Sequence, residues 1–317
     1  MALSALAKYL TKAAAKGFTE RIYHATPRAG EIKYLSTNPK QKINKEGRKV
    51  DSDVGIHVGS LDTAEARAMD ENTPVVSIKN KLVQKTKPDW SIMPLVADTN
   101  VVKNSLQVPD MGMFSSPTNW LQELTGYNLL LRSRHQPKRK GGMFYTHNQK
   151  AIFPEGEAIK IHPDMDIYVR MPAEFKYSDL DPKDYKIIVQ TIFKDLFKNK
   201  KLRADVNNTA KRELLKQDNP KWATHALGTN PELEQVSRSS WIQTLKKILR
   251  KTKKDAFKYE NIWEVGEKPE NSYMLLDPRK IKSLFAKDFD KDSHILTKYE
   301  GGLLVEPRRD YTRIRGI

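Results

Sequence analysis

Residues 271–283 are Asn271-Ser272-Tyr273-Met274-Leu275-Leu276-Asp277-Pro278-Arg279-Lys280-Ile281-Lys282-Ser283. The run from Ser272 to Leu276 predicts a short strand. Pro278 has no amide proton to donate to a ladder, so the strand is expected to stop at Asp277. Short strands interleaved with helices, and strand pairs joined non-locally, indicate an α+β domain.

The N-terminal segment carries leucines at helical spacing. Leu3, Leu6 and Leu10 recur every three or four residues, which predicts a helix within residues 1–19. Gly17 is a natural C-terminal cap for this helix. We interpret it as a packing helix, with a docking or membrane-surface helix as the alternative. A secretory signal peptide would need a longer uncharged apolar stretch and a cleavage site.

Two strand patterns and a helix follow. Residues 20–26 and 54–59 are each predicted to form a short strand. A helix begins directly after the second one, with Asp62 as its cap and Glu65 completing a capping box. Residues 74–83 alternate and are β-branched, which predicts one further strand.

The middle of the chain has a different composition. Residues 101–234 start with a stretch rich in Asn, Pro, Gly and Ser, then show one or two strand patterns and a helical pattern from Pro182 to Lys216. We predict an α+β protein in which a split two-sheet domain, residues 20–100 and 235–292, is interrupted by this large, mixed, partly helical insertion. Residues 293–317 form a basic C-terminal tail.

Charge and composition bound the function. The chain has 56 Lys plus Arg and 39 Asp plus Glu, a net charge of +17. This surplus favours nucleic acid, anionic lipid, acidic proteins or phosphate-bearing small molecules as partners. Because the chain contains no cysteine, disulfides, thiolate nucleophiles and Cys-ligated metals are excluded. The histidines show no metal-ligand spacing, and no apolar run approaches the roughly 20 residues of a membrane-spanning helix.

Two basic segments are candidates for nucleic-acid contact. Residues 234–254 are predicted to form a helix with a strongly basic C-terminal half, and residues 132–142 an exposed loop without acidic residues. The candidate phosphate-binding side chains are Lys246, Lys247, Arg250, Lys251, Lys253, Lys254, Arg132, Arg134, Lys138, Arg139 and Lys140. A charge run of this kind is also compatible with an ordinary solvated helix face.

Three segments combine residue types that suit a polar ligand. His24 and Thr26 are two apart on one strand and share a face, from which imidazole and hydroxyl can bond a ribose. Gly55 and Gly59 flank His57 and would let a ligand approach the backbone closely. The third segment is the strand quoted above. Neither a P-loop nor a Gly-x-Gly-x-x-Gly fingerprint occurs, which excludes those modes of nucleotide binding but not NAD itself.

The order of these motifs resembles the ADP-ribosyltransferase-like domains of large phage and mobile-element polyvalent proteins. The shared pattern is His-x-Thr, then Gly-Ile-His-x-Gly-Ser, then Ser-Tyr-x-x-x-Asp-Pro-x-x-Ile-Lys-Ser. Weaker matches are the strand around Ile78, Trp90, and the stretch from Tyr259 to Glu264. The resemblance covers less than half of the chain, and its specificity lies in the order of the motifs.

The resemblance implies a split pair of small sheets with NAD, consumed as a substrate, in the cleft between them. His24 and Thr26 would bind the ribose and position the nicotinamide. His57 takes the place where many members of the wider superfamily have an aromatic side chain stacked on nicotinamide. The full implied NAD-binding set is His24, Thr26, Gly55, His57, Ser60 and Tyr273.

One departure from the family concerns the catalytic carboxylate. The wider superfamily places a glutamate at the head of the last strand, where this chain has Ser272. A serine cannot carry the negative charge that stabilises the ribosyl cation. Glu264 or Glu270 could supply a carboxylate from the preceding loop. We predict Glu264, because it lies in the stretch that matches the family, whereas Glu270 belongs to a Pro-Glu-Asn turn.

Two functions follow from the resemblance. The first is a phage-type mono-ADP-ribosyltransferase that acts on a host protein or nucleic acid in the host cytoplasm. The usual setting of the family implies that such an enzyme is packaged in the virion and delivered with the genome. The second is a non-enzymatic virion or DNA-associated structural protein on a degenerate version of the fold. Ser272 and the large insertion favour the second function, and His24 with Thr26 favours the first.

Overall fold

The computed structural model describes residues 3–27, 35–38, 42–43, 49–50, 54–68, 76–78, 81–83, 90–108, 120, 129–132, 143–146, 149–152, 158–160, 162–164, 167–170, 180–198, 200, 203–204, 208, 238–261, 270–286 and 288–296. The helices are α1 (Leu3–Ala15), α2 (Leu61–Ala68), α3 (Thr99–Lys103), α4 (Pro182–Leu196) and α5 (Arg238–Thr252). The strands are β1 (Phe18–Pro27), β2 (Lys42–Ile43), β3 (Lys49–Val50), β4 (Ile56–Val58), β5 (Val76–Ile78), β6 (Lys81–Val83), β7 (Trp90–Asp98), β8 (Ser105–Gln107), β9 (Leu129–Arg132), β10 (Met143–Thr146), β11 (Gln149–Ile152), β12 (Ala158–Lys160), β13 (Ile167–Arg170), β14 (Ala256–Asn261), β15 (Glu270–Leu275) and β16 (Ile281–Ser283). These elements confirm the α+β class, and none of the helices described has the length and apolar character needed to cross a membrane.

The chain divides into two compact units. Unit 1 consists of Met1–Thr37, Gly55–Leu106 and Lys254–Ile317, and unit 2 of Asn38–Val54 and Gln107–Lys253. These limits differ from the predicted ones in the second half, which we placed from residue 235. Unit 1 resumes only at Lys254, because helix α5 packs against α4 within unit 2.

Besides the pair β5-β6, unit 1 contains two sheets, and the segment quoted first contributes one strand to each of them. One sheet has the order β1-β7-β16 and the other β4-β15-β14-β8. A short 3-10 turn, Pro278–Lys280, separates β15 from β16, and the side chain of Asp277 caps it by accepting the amide proton of Arg279 at 3.0 Å. The predicted stop at Asp277-Pro278 is therefore the point where the chain passes from one sheet to the other.

Strand β1 also connects the two sheets through its backbone. It pairs with β7 along its whole length and forms an isolated bridge from Tyr23 to Gly59, just after β4. The bridge consists of reciprocal N–H to O bonds of 2.9 and 3.1 Å. This connection fixes the start of α2 beside the middle of β1.

The core of unit 1 lies between its sheets. Its buried members are Ile22, Ile56, Val58, Met93, Leu95, Ala97, Val101, Ala256, Tyr273, Leu275, Ile281 and Leu296. Because side chains alternate along a strand, the residues next to these on β1, β14 and β15 point to the opposite face. Helix α1 packs Leu6, Tyr9 and Leu10 on a second cluster around Phe18 and Phe285, which agrees with the packing-helix interpretation.

Unit 2 combines a five-stranded sheet, β11-β10-β9-β13-β12, with helices α4 and α5. Both helices have buried apolar faces, and Trp241 of α5 meets Trp120 edge-on with ring centroids 5.6 Å apart. The predicted helix from Pro182 is shorter than expected, since α4 ends at Leu196.

Several strand predictions need correction. Residues 74–83 contain two strands, β5 and β6, which pair with each other, rather than one. Strands β9, β10 and β11, in the stretch rich in Asn, Pro, Gly and Ser, and strands β2 and β3, within residues 38–53, were not predicted. Short strands give too few alternating positions for a pattern to register.

Candidate functional site

A polar cleft lies over the face of β1, β4, β15 and β14 that points away from the intersheet core. Strand β1 supplies Tyr23 and Ala25, β4 supplies His57, and helix α2 covers one side with Thr63, Ala64 and Arg67. Strands β14 and β15 supply Tyr259, Asn261 and Ser272. The enclosed volume is only about 10 Å³, which is room for one water molecule, and the cleft is open to solvent. Since small-molecule pockets usually hold roughly 300–1,000 Å³, a ligand would lie over this shallow cleft rather than inside it.

His57 forms one wall of this cleft. Its side chain is 8% exposed, and its Nδ1 lies 3.0 Å from the hydroxyl oxygen of Tyr259. The two rings meet edge-on with centroids 6.0 Å apart. Because both partners are buried, the hydrogen bond fixes the plane of the imidazole in the wall.

Ser272 closes the floor of the cleft. It is buried, and the side-chain amide of Asn261 donates to its hydroxyl at 3.4 Å. Gly59 lies beside it, and a Cβ added to Gly59 would stand 2.8 Å from the Ser272 hydroxyl oxygen. Only a glycine therefore leaves this oxygen undisturbed at the floor.

Ser60 follows Gly59 of the cleft lining, and Glu270 stands two residues before Ser272 on the same face of β15; we call this position, next to the N-terminus of α2, the mouth of the cleft. Glu270 is the first residue of β15, and the hydroxyl of Ser60 donates a hydrogen bond to its carboxylate. The Ser60 hydroxyl oxygen also accepts the amide proton of Thr63 at 3.1 Å and lies 3.0 Å from the Thr63 hydroxyl. Ser60 is therefore the helix cap, where we had predicted Asp62, because the bridge at Gly59 places Ser60 one position before the first turn.

The structure brings the three predicted segments together. Met274 and Tyr273 of β15 pair with His57 and Val58 of β4. His24 of β1 reaches the same strand, since its Nδ1–H donates to the carbonyl oxygen of His57 at 2.6 Å.

Not every predicted ligand residue faces the cleft. His24 pairs with Met93, so that it and Thr26 lie on the side of β1 that faces the intersheet core, and Tyr23 with Ala25 lines the cleft instead. Tyr273 packs in that core, where burial and, to a smaller extent, the charge of Glu20 raise its pKa. His24 and Thr26 share one face of β1, as predicted, but this face points to the intersheet core and not to the cleft.

Gly55 has a structural explanation. Its φ of +83° lies in the left-handed region, and an added Cβ would stand 2.5 Å from Cγ of Met274. It lies outside the residues that line the cleft. Glu264 lies outside the described residues, so its predicted catalytic role stays a prediction.

His24 is held in its neutral form. Burial lowers its pKa to about 4, helped slightly by the charge of Arg67 and opposed by the bond to the His57 carbonyl. Because Nδ1 carries the proton of that bond, Nε2 is left as a lone-pair acceptor. His24 therefore links β1 to the backbone of His57 and positions the wall of the cleft.

The basic residues fall into three groups. Lys247 and Lys251 point to α4, where Lys247 binds Asp195 and Lys251 donates to Thr191 at 2.9 Å. Arg250 and Lys253 are exposed, and Lys246 and Lys254 are half-buried. Arg132 ends strand β9, and Arg134, Lys138, Arg139 and Lys140 lie outside the described residues. Among the residues that the structure describes, no group of three or more His, Asp or Glu side chains could hold a metal ion.

Comparisons with models of protein families, with curated proteins and with solved structures find no match to this chain. The side chains of the cleft are therefore the basis for any proposal about function.

Besides Tyr23 and Ala25, the polar cleft residues Tyr259, Asn261, Arg67 and Thr63 were not selected from the sequence. Tyr259 and Asn261 are two apart on one strand, a signal for a shared face that the sequence already contained. Arg67 stands four residues after Thr63, which places both on one side of α2. The pairing register of β14 and β15 could not be predicted from the sequence.

Proposed function

We propose that unit 1 binds NAD and transfers its ADP-ribose to a nucleophile, with Glu270 as the catalytic carboxylate. The supporting observation is the position of this carboxylate, which Ser60 holds at the head of β15 and at the mouth of the cleft. The family resemblance expects a glutamate at the head of the last strand. Glu270 fits this expectation better than Glu264, since it begins the strand and shares the face of Ser272, two residues on.

The charges around the cleft suit a dipolar ligand. Ser60 caps α2 and Arg67 lies in the last turn of the same helix. Because an α-helix rises 1.5 Å per residue, the two residues are about 10 Å apart along the helix axis. One end of the cleft thus holds a carboxylate beside a helix N-terminus, and the other holds a guanidinium. NAD carries a cationic pyridinium ring on one ribose and two phosphates beyond it, which matches this order of charges.

The proposed reaction breaks the bond from the ribose C1′ to the nicotinamide nitrogen. The bonding electron pair leaves with nicotinamide, which becomes neutral, and C1′ becomes part of an oxocarbenium ion. The carboxylate of Glu270 would stabilise this cation until an acceptor nucleophile attacks C1′ and releases its proton to solvent. One such preorganised charge typically contributes a factor on the order of 10²–10³ in rate.

The buried polar wall would hold the leaving group. His57 and Tyr259 present ring edges bonded to each other, and Asn261 stands beside Ser272. An amide-bearing ring such as nicotinamide can exchange hydrogen bonds with these groups. The ring would lie against the open surface of the cleft, with the rest of the dinucleotide extending over helix α2.

The test uses the full chain with NAD that is labelled in its adenylate half. We expect calorimetry to show NAD binding and host lysate to gain label. Glu270→Gln should abolish transfer while binding persists. The matched control is Glu260→Gln, an exposed carboxylate on the neighbouring strand β14, which should transfer normally.

Other results would reject parts of this proposal. A wild-type chain that does not bind NAD would reject it entirely and favour the alternative of a structural virion or DNA-associated protein. Transfer that survives Glu270→Gln but not Glu264→Gln would keep the function and move the catalytic role to Glu264.

A further inference from the structure

Helix α5 carries only positive charges. Its 15 residues include no Asp or Glu, and its basic residues are Arg238, Lys246, Lys247, Arg250 and Lys251. Lys253 and Lys254 follow directly after the helix. A helix of this composition needs either solvent or an anionic partner on its outer side.

Two lysines of α5 are directed towards α4 within unit 2. Lys247 donates to both carboxylate oxygens of Asp195 at 2.7 and 2.9 Å, and the hydroxyl of Thr244 donates to the same carboxylate at 3.0 Å. Lys251 donates to the hydroxyl of Thr191 on the preceding turn of α4. These contacts hold α5 against α4, and the carboxylate of Asp195 neutralises the charge of Lys247.

The outer charges lie on another side of the helix. Ser239, Gln243, Lys246 and Arg250 recur every three or four residues and form one continuous row, the α5 stripe. In the described part of the chain, neither Lys246 nor Arg250 has an acidic partner. Arg250 is exposed, as is Lys253 just beyond the helix end.

Two further exposed charges lie at the C-terminal end of α4. Lys194 is in the last turn of the helix and Lys198 follows its end by two residues, on either side of the Asp195 that α5 contacts. Lys198 stands 4.0 Å from Asp195, a carboxylate that Lys247 already neutralises at 2.7 Å. The outer surface of the helix pair therefore has a net positive charge.

We propose that the α5 stripe binds the phosphate backbone of duplex DNA without reading its bases. Phosphate oxygens accept hydrogen bonds from Arg, Lys, Ser and Gln side chains, which are the residue types of the stripe. A membrane surface is the less suitable partner, because a membrane-bound helix inserts apolar residues. The apolar residues of α5, including Trp241, Leu245 and Ile248, are buried within unit 2. This proposal concerns unit 2 and does not depend on the NAD site of unit 1.

The test measures binding of the full chain to two short fluorescent duplexes of unrelated sequence over a range of salt concentrations. The double variant Lys246→Gln/Arg250→Gln should bind on the order of tenfold more weakly and reduce the log–log salt slope by about two. The matched control is Lys8→Gln/Lys12→Gln, which removes two exposed charges from helix α1 of unit 1. The control should keep the wild-type slope.

Four outcomes would overturn the proposal. The first two are no DNA binding by the wild-type chain and an equal loss of DNA affinity in the two double variants. The third is a strong preference for one duplex sequence. The fourth is tighter binding to anionic vesicles than to DNA, with the stripe variant weakening both by the same factor. Thermal unfolding of both variants shows whether the substitutions leave the fold intact, which we expect because none of the four side chains is buried.

Discussion

The hydroxyl of Ser60 donates a hydrogen bond to the carboxylate of Glu270, which lies 210 positions further along the chain. The same oxygen accepts the amide proton of Thr63 and caps helix α2. One side chain therefore connects the start of the helix to the head of strand β15. Through this contact the helix N-terminus, with its partial positive charge, stands beside the carboxylate at the cleft.

The first prediction separates the two roles of Ser60. Ser60→Ala removes a helix cap and should lower the free energy of unfolding by about 1 kcal/mol. It also frees the Glu270 carboxylate, so ADP-ribose transfer should show a lower kcat with little change in KM for NAD. Ser60→Thr keeps the hydroxyl and should restore both quantities. If Ser60→Ala lost stability but kept its kcat, the cap would be the only role of this residue.

The second prediction contrasts the two glycines beside His57. Gly55→Ala forces a side chain into a left-handed backbone and against Met274, so it should cost roughly 1–3 kcal/mol of stability in urea unfolding. Gly59→Ala would push on Ser272 and Thr63 at the cleft floor. It should weaken NAD binding in calorimetry by more than it lowers stability. Similar losses of both properties in the two variants would contradict the assignment of Gly59 to the site.

The third prediction concerns pH and His24. Its folded pKa is about 4 against an ordinary 6.5, so between these values the unfolded chain binds more protons. The free energy of unfolding should therefore rise as pH increases from 4 to 6.5, and fall as pH decreases through that window. The pKa shift corresponds to a change of at most roughly 3 kcal/mol in the free energy of unfolding across this pH range. Solvent around the half-buried ring reduces this change.

The matched variant for this measurement is His24→Asn. Asparagine places an amide donor near the position of Nδ1 and does not titrate. Urea unfolding at several pH values should show a flatter profile for the variant than for the wild type between pH 4 and 6.5. Parallel profiles would show that the neutral histidine contributes nothing to the pH dependence.

The fourth prediction concerns Asp195 in unit 2. Burial opposes its ionisation, but hydrogen bonds from Lys247 and Thr244 outweigh this effect and hold its pKa below the usual value. The stability it contributes is present above the unfolded pKa of 3.8 and is lost as pH falls through the lower folded pKa. Asp195→Asn should lower the free energy of unfolding by about 1–3 kcal/mol at neutral pH.

This difference between Asp195→Asn and wild type should shrink below pH 3.8. Asp288→Asn, at an exposed carboxylate, serves as the control and should change stability little at any pH. An Asp195→Asn variant as stable as wild type at neutral pH would show that the ion pair only orients α5 on α4.

Much of unit 1 could be predicted from local patterns. Gly17 ends α1, Pro278 ends β15, and the alternation around Tyr273 gives a strand, because each of these depends on the dihedral preference or hydrogen bonding of single residues. Helix α5 was predicted within a few residues for the same reason. The N-terminal cap of α2 was predicted at Asp62 and is at Ser60, since two candidate caps stand close together and only the bridge at Gly59 chooses between them.

The site was predicted in part. His57, Ser60 and Ser272 were selected as residue types in a pattern, and the structure places all three at the cleft or its mouth. His24 was selected for the wrong face, because a two-residue period shows which side chains share a face but not which face is open. Glu270 was assigned to a turn, whereas in the structure it is the first residue of β15 and pairs with Asn261 of β14.

The sequence by itself determined the excess of positive charge, the absence of thiol chemistry, the limits of several helices and strands, and the set of polar residues able to bind a ligand. Only the tertiary structure decided that Ser60 meets Glu270, that β14 sets Tyr259 and Asn261 opposite Ser272 and Glu270, and that Lys247 binds Asp195. Periodicity and capping arise from neighbours within a turn or two of the chain. Contacts between distant strands depend on register and on how cores pack, and a single sequence does not encode these locally.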